Sequence, residues 1–107
     1  MVISEQEFRV KSDDALEAAR RALLPLADEE GFEIELQNGV LNLVFEEPRD
    51  GRFVVSPNAP VRQIWVSAMA KSYKLSWEPT LGAFAIERET LTKLLERLTR
   101  TFLAAAD

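Results

Sequence analysis

The carboxylates are the side chains of this sequence with the clearest capacity for chemistry. They occur in the first predicted helix, at its C-terminal end and on the strand that follows: Asp13, Asp14, Glu17, Asp28, Glu29, Glu30, Glu33 and Glu35. Carboxylate oxygens suit hard cations, including iron, magnesium, calcium and manganese. If the strand lies at the sheet edge beside the helix, these side chains form one negative ridge, and a bound cation relieves their repulsion. The sequence therefore predicts a metal site that is weak, hydrated and unselective.

The same helix carries cations that compete for these carboxylates. Glu17 is followed by Arg20 and Arg21, and an i,i+4 pair between Glu17 and Arg21 is favourable on a helix surface. Asp13 and Asp14 can equally be solvated residues near the helix start, where acids complement the helix dipole. A purely structural role for the acids therefore stays open.

The composition excludes several kinds of site. The 107-residue chain contains neither cysteine nor histidine, which excludes disulfides, thiolate and imidazole metal ligands, cysteine nucleophiles and an imidazole base. A net charge of −5 without a basic patch argues against nucleic-acid binding. No segment approaches the roughly 18 apolar residues of a membrane span, and no signal-peptide pattern is present. We expect a cytoplasmic protein that binds neither nucleic acid nor membrane.

A second candidate site lies on a strand predicted over residues 62–68. Alternate residues of a strand face opposite sides of a sheet, so Trp65 lies opposite Ile64 and Val66. If those two aliphatic residues face the helices, the indole lies on the open face, although the alternation alone equally allows Trp65 in the core. Tryptophan and arginine are enriched in binding hot spots. The predicted partner-binding residues are Arg62, Gln63, Trp65 and Ser67.

Hydrophobic periodicity predicts the elements that position these residues. It predicts a helix over residues 4–27, with a kink or early stop at Pro25, and a C-terminal helix that includes Leu91 and Phe102. Period-two patterns predict about six strands, over residues 32–37, 40–45, 52–55, 62–68, 72–77 and 83–86. Asn38-Gly39 is typical of a type I′ hairpin turn, and residues 48–51 predict another turn. Sequential hairpins imply an antiparallel sheet with both helices on one face, an α+β two-layer sandwich that forms one domain of residues 1–107.

One segment of the predicted sheet resembles a known family. Pro60-Val61-Arg62-Gln63-Ile64-Trp65, after a helix, an acidic junction and an Asn-Gly-Val-Leu hairpin, is similar to the Pro-x-x-Gln-Ile-Trp pattern of the frataxin family. The resemblance covers roughly residues 8–102, and this hexapeptide is its specific part. The chain departs from the family pattern at four places, which are Arg20-Arg21, Ser56, Pro57-Asn58 and Phe84.

The resemblance implies a function as well as a sandwich of helices on a sheet. It implies weak binding of iron, as Fe²⁺ or Fe³⁺, by acidic residues of the first helix and first strand. It also implies binding to the cysteine desulfurase and iron–sulfur scaffold protein, with an effect on the rate of cluster synthesis. We therefore expect a monomeric iron-linked accessory protein without catalytic residues.

Two other functions stay open. A metal-independent interaction module on the same fold is favoured by Arg20 and Arg21 and by the altered turn Ser56-Pro57-Asn58. A ferroxidase that oxidises bound iron is the one enzymatic alternative. The lack of histidine and of a Glu-x-x-His motif disfavours it, and oxygen consumption on addition of ferrous iron would decide.

Overall fold

Two helices pack on one face of a single antiparallel sheet. A computed structural model describes residues 3–47 and 49–105. In chain order the elements are α1 (Glu5–Glu30), β1 (Glu33–Gln37), β2 (Val40–Phe45), β3 (Gly51–Asn58), a 3₁₀ turn (Ala59–Val61), β4 (Gln63–Ala68), β5 (Lys71–Glu78), β6 (Ala83–Ile86), β7 (Glu89–Thr90) and α2 (Leu91–Ala104). Of the helices in the described residues, none is long and apolar enough to span a bilayer.

Helix α1 begins and ends at residues that satisfy its free backbone groups. The Ser4 side chain accepts a hydrogen bond from the Glu7 backbone at 3.1 Å, and the Glu7 carboxylate accepts one from the Ser4 backbone at 3.4 Å, which forms a capping box. The helix continues through the exposed Pro25 and ends before Gly31, whose φ of 81° suits glycine. The predicted end at residue 27 is therefore three residues short.

The sheet is a meander in which each strand pairs with its sequence neighbour, in the order β1 to β7. The predicted α+β two-layer fold is confirmed, but the sheet has seven strands where the sequence predicts about six. The additional strand β7 has only two residues, too few for a period-two pattern. The turn before it uses Glu87 and Arg88 at φ 48° and 68°, left-handed positions where a hairpin normally has asparagine or glycine.

Strand β3 is longer than its predicted span of residues 52–55, because Pro57 and Asn58 belong to the strand and not to the following turn. Pro57 pairs with Ile64 of β4. The last pair between β2 and β3 is Leu41 with Val55, so Pro57 has a strand neighbour on one side only. Proline is tolerated at such a position, where a missing N–H breaks no ladder on the free side.

The core lies between the helices and one face of the sheet. Its fully buried aliphatic residues come from both layers: Leu16, Leu23, Leu41, Leu43, Val55, Ile64, Val66, Leu75, Leu94 and Leu95. Because successive strand residues face opposite sides, the residues between the buried strand positions lie on the uncovered face.

Four aromatic rings, the phenylalanine cluster, close one end of the core: Phe32, Phe45, Phe53 and Phe102. The ring centroids of Phe45 and Phe102 are 4.6 Å apart, and those of Phe45 and Phe53 are 4.9 Å apart. A Cβ built on Gly51 would lie 2.5 Å from Cζ of Phe102. The glycine that starts β3 therefore leaves the space that the Phe102 ring fills.

Candidate functional site

The uncovered face of the sheet carries the tryptophan of β4. Ile64 and Val66 are completely buried under the helices, so Gln63, Trp65 and Ser67 lie on the opposite side of the strand. Trp65 is half-buried and Ser67 is exposed. The period of the strand thus places an indole where no element of the described chain covers it.

The Trp65 indole is held by its neighbours in the sheet. Its Nε1–H donates to the side-chain oxygen of Gln63 at 2.9 Å, and Lys74 Nζ lies 4.9 Å from the ring centroid. Ser56 of β3 and Lys74 of β5 are the two residues directly opposite Trp65 in the ladders. We call Gln63, Trp65, Ser67 and Lys74 the tryptophan patch. A side chain fixed before binding loses less conformational entropy when a partner covers it.

Arg62 lies at the end of this surface and is engaged with the backbone. Its guanidinium donates to the carbonyl oxygen of Ile3 at 3.3 Å and, through a second nitrogen, to that of Ala59. Its own backbone is left-handed, with φ 54°. The side chain thereby connects Ile3, just before α1, with the 3₁₀ turn that leads into β4.

The candidate acidic residues are spread along α1 and β1, and the first two lie in the N-terminal half of α1. Asp13 lines a cleft beside the hairpin residues Asn38 and Gly39. Asp14 lines a different cavity, next to Trp77 and the start of α2. Adjacent helical residues are about 100° apart around the axis, so these two aspartates do not point at a common cation.

The remaining acids lie at the far end of the helix and on the edge strand. Asp28, Glu29 and Glu30 are exposed in the last turn of α1, about 22 Å along the axis from Asp13. Glu33 and Glu35 are exposed on β1, the edge strand, and face the uncovered side because Ile34 and Leu36 pack against the core. We call these five acids the acidic rim.

Glu17 lies on α1 between the aspartates of its first half and the acidic rim, and its carboxylate accepts hydrogen bonds from Arg20 and Arg21. Arg20 donates to its two carboxylate oxygens at 2.6 and 3.0 Å, and Arg21 donates at 3.1 Å. These hydrogen bonds, with that from Arg20 the strongest influence, lower the pKa of Glu17 from 4.5 to about 2. The carboxylate is therefore ionised, and the two guanidinium groups compete with any cation that approaches it.

The described residues, 3–47 and 49–105, contain no group of three or more carboxylates that converge on a single point as metal ligands. Where carboxylates do not converge, a hard cation generally keeps most of its water shell, and such outer-sphere binding is weak and unselective.

Comparison with known protein families gives a match over almost the whole sequence. The family model described as the frataxin-like domain matches residues 1–106. The chain belongs to the frataxin-like family. The resemblance noted in the hexapeptide that ends at Trp65 is thus part of a match along the whole chain.

Curated relatives of this frataxin-like chain have a common name. The iron-sulfur cluster assembly protein CyaY of Pseudomonas putida is 29% identical over 102 residues, which cover 92% of this chain and 87% of the relative. Its counterpart in Pseudomonas paraeruginosa is 30% identical over 94 residues, 84% and 85% of the two chains. That of Pseudomonas fluorescens is 26% identical over an alignment of 109 residues, 98% and 94% of the two chains.

Two neighbours of the indole in this frataxin-like sheet are not among the predicted site residues. Ser56 and Lys74 flank Trp65 across β3 and β5. The position of Lys74 follows from the sequence once a two-residue turn is placed at Met69-Ala70. Counting outward from that turn along the two strands pairs Trp65 with Lys74. No glycine or asparagine marks that turn, although both residues have positive φ, 51° and 63°, so the register was not apparent.

Proposed function

We propose that this chain is a cytoplasmic, monomeric accessory protein of iron–sulfur cluster assembly that docks on the cysteine desulfurase and its scaffold protein. Membership of the frataxin-like family and relatives named as iron-sulfur cluster assembly proteins support the proposal. The docking surface is the tryptophan patch, and the partner covers the face of the sheet that the helices leave open.

The observation that carries the proposal is the position of Trp65. The half-buried indole lies on a face that no element of the described residues covers, fixed by Gln63 and flanked by Lys74. It combines a large apolar area with little conformational freedom. Tryptophans of this kind are enriched among residues that dominate binding energy. Arg62 has a supporting role, since its guanidinium donates to the Ala59 carbonyl in the 3₁₀ turn that precedes β4.

We further propose that the acidic rim attracts ferrous iron weakly. None of its five residues has an ion-pair partner within the described residues, so their charges are not neutralised locally. Asp13 and Asp14 add to the negative potential from the other half of α1, whereas Glu17 is neutralised by Arg20 and Arg21. The bound iron is cargo held through its water shell and not a resident cofactor.

Removal of the two arginines should strengthen this binding. Under anaerobic conditions, calorimetric titration of the wild-type protein with ferrous iron should give a dissociation constant on the order of 1 mM. Arg20→Ala/Arg21→Ala should lower it about threefold to tenfold, because the variant frees Glu17 and removes two positive charges.

Arg97→Ala is the matched control for that titration. It also frees a carboxylate, since Arg97 donates twice to Glu89 at 2.9 Å, but it does so between β7 and α2. Its iron affinity should stay near that of the wild type. If neither the wild type nor the double variant produces heat above dilution, the acids do not bind iron.

The alternative function is a metal-independent interaction module. The occupied carboxylate of Glu17 and the lack of a converging ligand group in the described part of the chain favour it. The two functions differ in one measurement, which is capture of purified desulfurase and scaffold by the immobilised protein. The iron-linked function predicts that ferrous iron increases capture and a chelator reverses the increase. Capture that is identical with and without chelator supports the module.

A further inference from the structure

A cavity of about 360 Å³ opens on the helix side of the molecule, away from the tryptophan patch. It lies between α1, the start of β6 and the start of α2, and we call it the interhelical cavity. We propose that it binds a small organic anion with a flat apolar body. Its volume lies within the range of about 300–1,000 Å³ that is usual for small-molecule sites.

The body of the ligand would lie against an aromatic wall. Trp77 is half-buried and packs edge-on against the buried Phe84, with ring centroids 5.3 Å apart and planes at 72°. On the α1 side, the cavity is lined by Ala15 and Ala18, whose short side chains leave the space open. A planar group can therefore enter beside α1 and contact the part of the indole that Lys11 leaves open.

The charges at the rim favour a negative group on that body. Lys11 Nζ lies 4.3 Å from the centroid of the Trp77 ring and has no carboxylate within ion-pair distance in the part of the chain that the structure describes. The Thr90 hydroxyl, also in the lining, makes no capping bond to α2 and can donate to a ligand. Because the ammonium group already occupies the indole face, a cationic ligand would be repelled. Asp14, exposed one turn along α1, opposes an anion and limits its affinity.

Titration with 2-naphthoate, followed by proton–nitrogen NMR, tests the proposal on the full chain. The two indole N–H signals serve as opposite reporters, because Trp77 lines the cavity and Trp65 lies on the other face. We expect a saturable shift of the Trp77 signal with a dissociation constant on the order of 1 mM, and no shift of the Trp65 signal. The neutral 2-naphthamide should bind about threefold more weakly, because it lacks the charge that pairs with Lys11.

Four variants separate a specific site from general adhesion of the probe. Lys11→Met should weaken naphthoate binding about threefold, and Asp14→Asn should strengthen it about twofold, because the two substitutions change the rim charge in opposite directions. Ala18→Leu should abolish the shift by filling the cavity. Lys93→Met, a change of exposed charge outside the lining, should have no effect. A Trp77 signal that never saturates, or equal affinities for Lys11→Met, Asp14→Asn and the wild type, would overturn the proposal.

Discussion

Replacement of Trp65 with alanine is expected to weaken binding of the desulfurase–scaffold complex by about 30-fold or more, which corresponds to about 2 kcal/mol. The indole supplies the largest apolar surface of the tryptophan patch, and its hydrogen bond with Gln63 fixes it before the partner arrives. Alanine removes that surface and also leaves Gln63 and Lys74 without the ring between them. Calorimetry or surface-based binding with purified partners measures the change.

The same variant should remain folded, because the side of β4 that supports the core is untouched. Ile64 and Val66 stay buried beneath the helices, and the loss of unfolding free energy should be about 1 kcal/mol or less. Trp77→Ala is the matched control, since that indole packs on Phe84 at the helix side. It should lower stability more and leave partner binding intact. A large loss of stability in Trp65→Ala, or binding equal to the wild type, would show that Trp65 is not the docking residue.

The sequence predicted the order of elements because its hydrophobic periods are regular. The first hairpin followed from Asn38-Gly39, whose residues readily adopt the left-handed region. The last hairpin could not be predicted in the same way. Its turn uses Glu87 and Arg88 in that region, where the Cβ atom of residues other than glycine, asparagine and aspartate costs about 1–2 kcal/mol. Local preference therefore disfavours the turn that the rest of the sheet imposes.

The candidate site was predictable to the extent that it depends on period within one element. Alternation along β4 distinguishes the two faces on which Trp65 and Ile64 lie. It does not give the neighbours across the sheet, which depend on register and include Ser56 and Lys74. Helical spacing likewise suggested the pair of Glu17 with Arg21 but not the second, two-point contact with Arg20, because that geometry depends on side-chain rotamers.

Gly51 shows a different limit of sequence reasoning. The segment 48–51 was predicted as a turn because it contains proline, aspartate and glycine; Pro48 lies outside the described residues, and Gly51 is the first residue of β3, paired with Phe45. Its φ is not in the left-handed region, so conformational freedom does not explain the glycine. The ring of Phe102 does, because it occupies the place of a Cβ. That reason lies some fifty residues away in the chain, and only the fold brings it into view.

Replacement of Phe102 with alanine should lower the free energy of unfolding by about 3–5 kcal/mol, a large part of the roughly 5–15 kcal/mol that such a domain has in total. The ring contacts Phe45 and Phe53 and is covered on its outer side by the Arg49 guanidinium at 4.2 Å. Its loss opens a cavity where the end of α2 packs on the sheet. Thermal unfolding should show a melting temperature about 15 °C lower or more.

A second substitution decides whether the close approach to Gly51 is the cause. Gly51→Ala alone should cost about 1–3 kcal/mol through overpacking against the Phe102 ring. In the Phe102→Ala background the same change should cost almost nothing, since the obstructing atom at 2.5 Å is gone. The control for Phe102→Ala is Leu24→Ala, which removes an apolar side chain at an exposed position of α1. It should change the free energy of unfolding by less than about 0.5 kcal/mol. Additive losses in the double variant would mean that the ring moves aside easily and that the glycine serves another purpose.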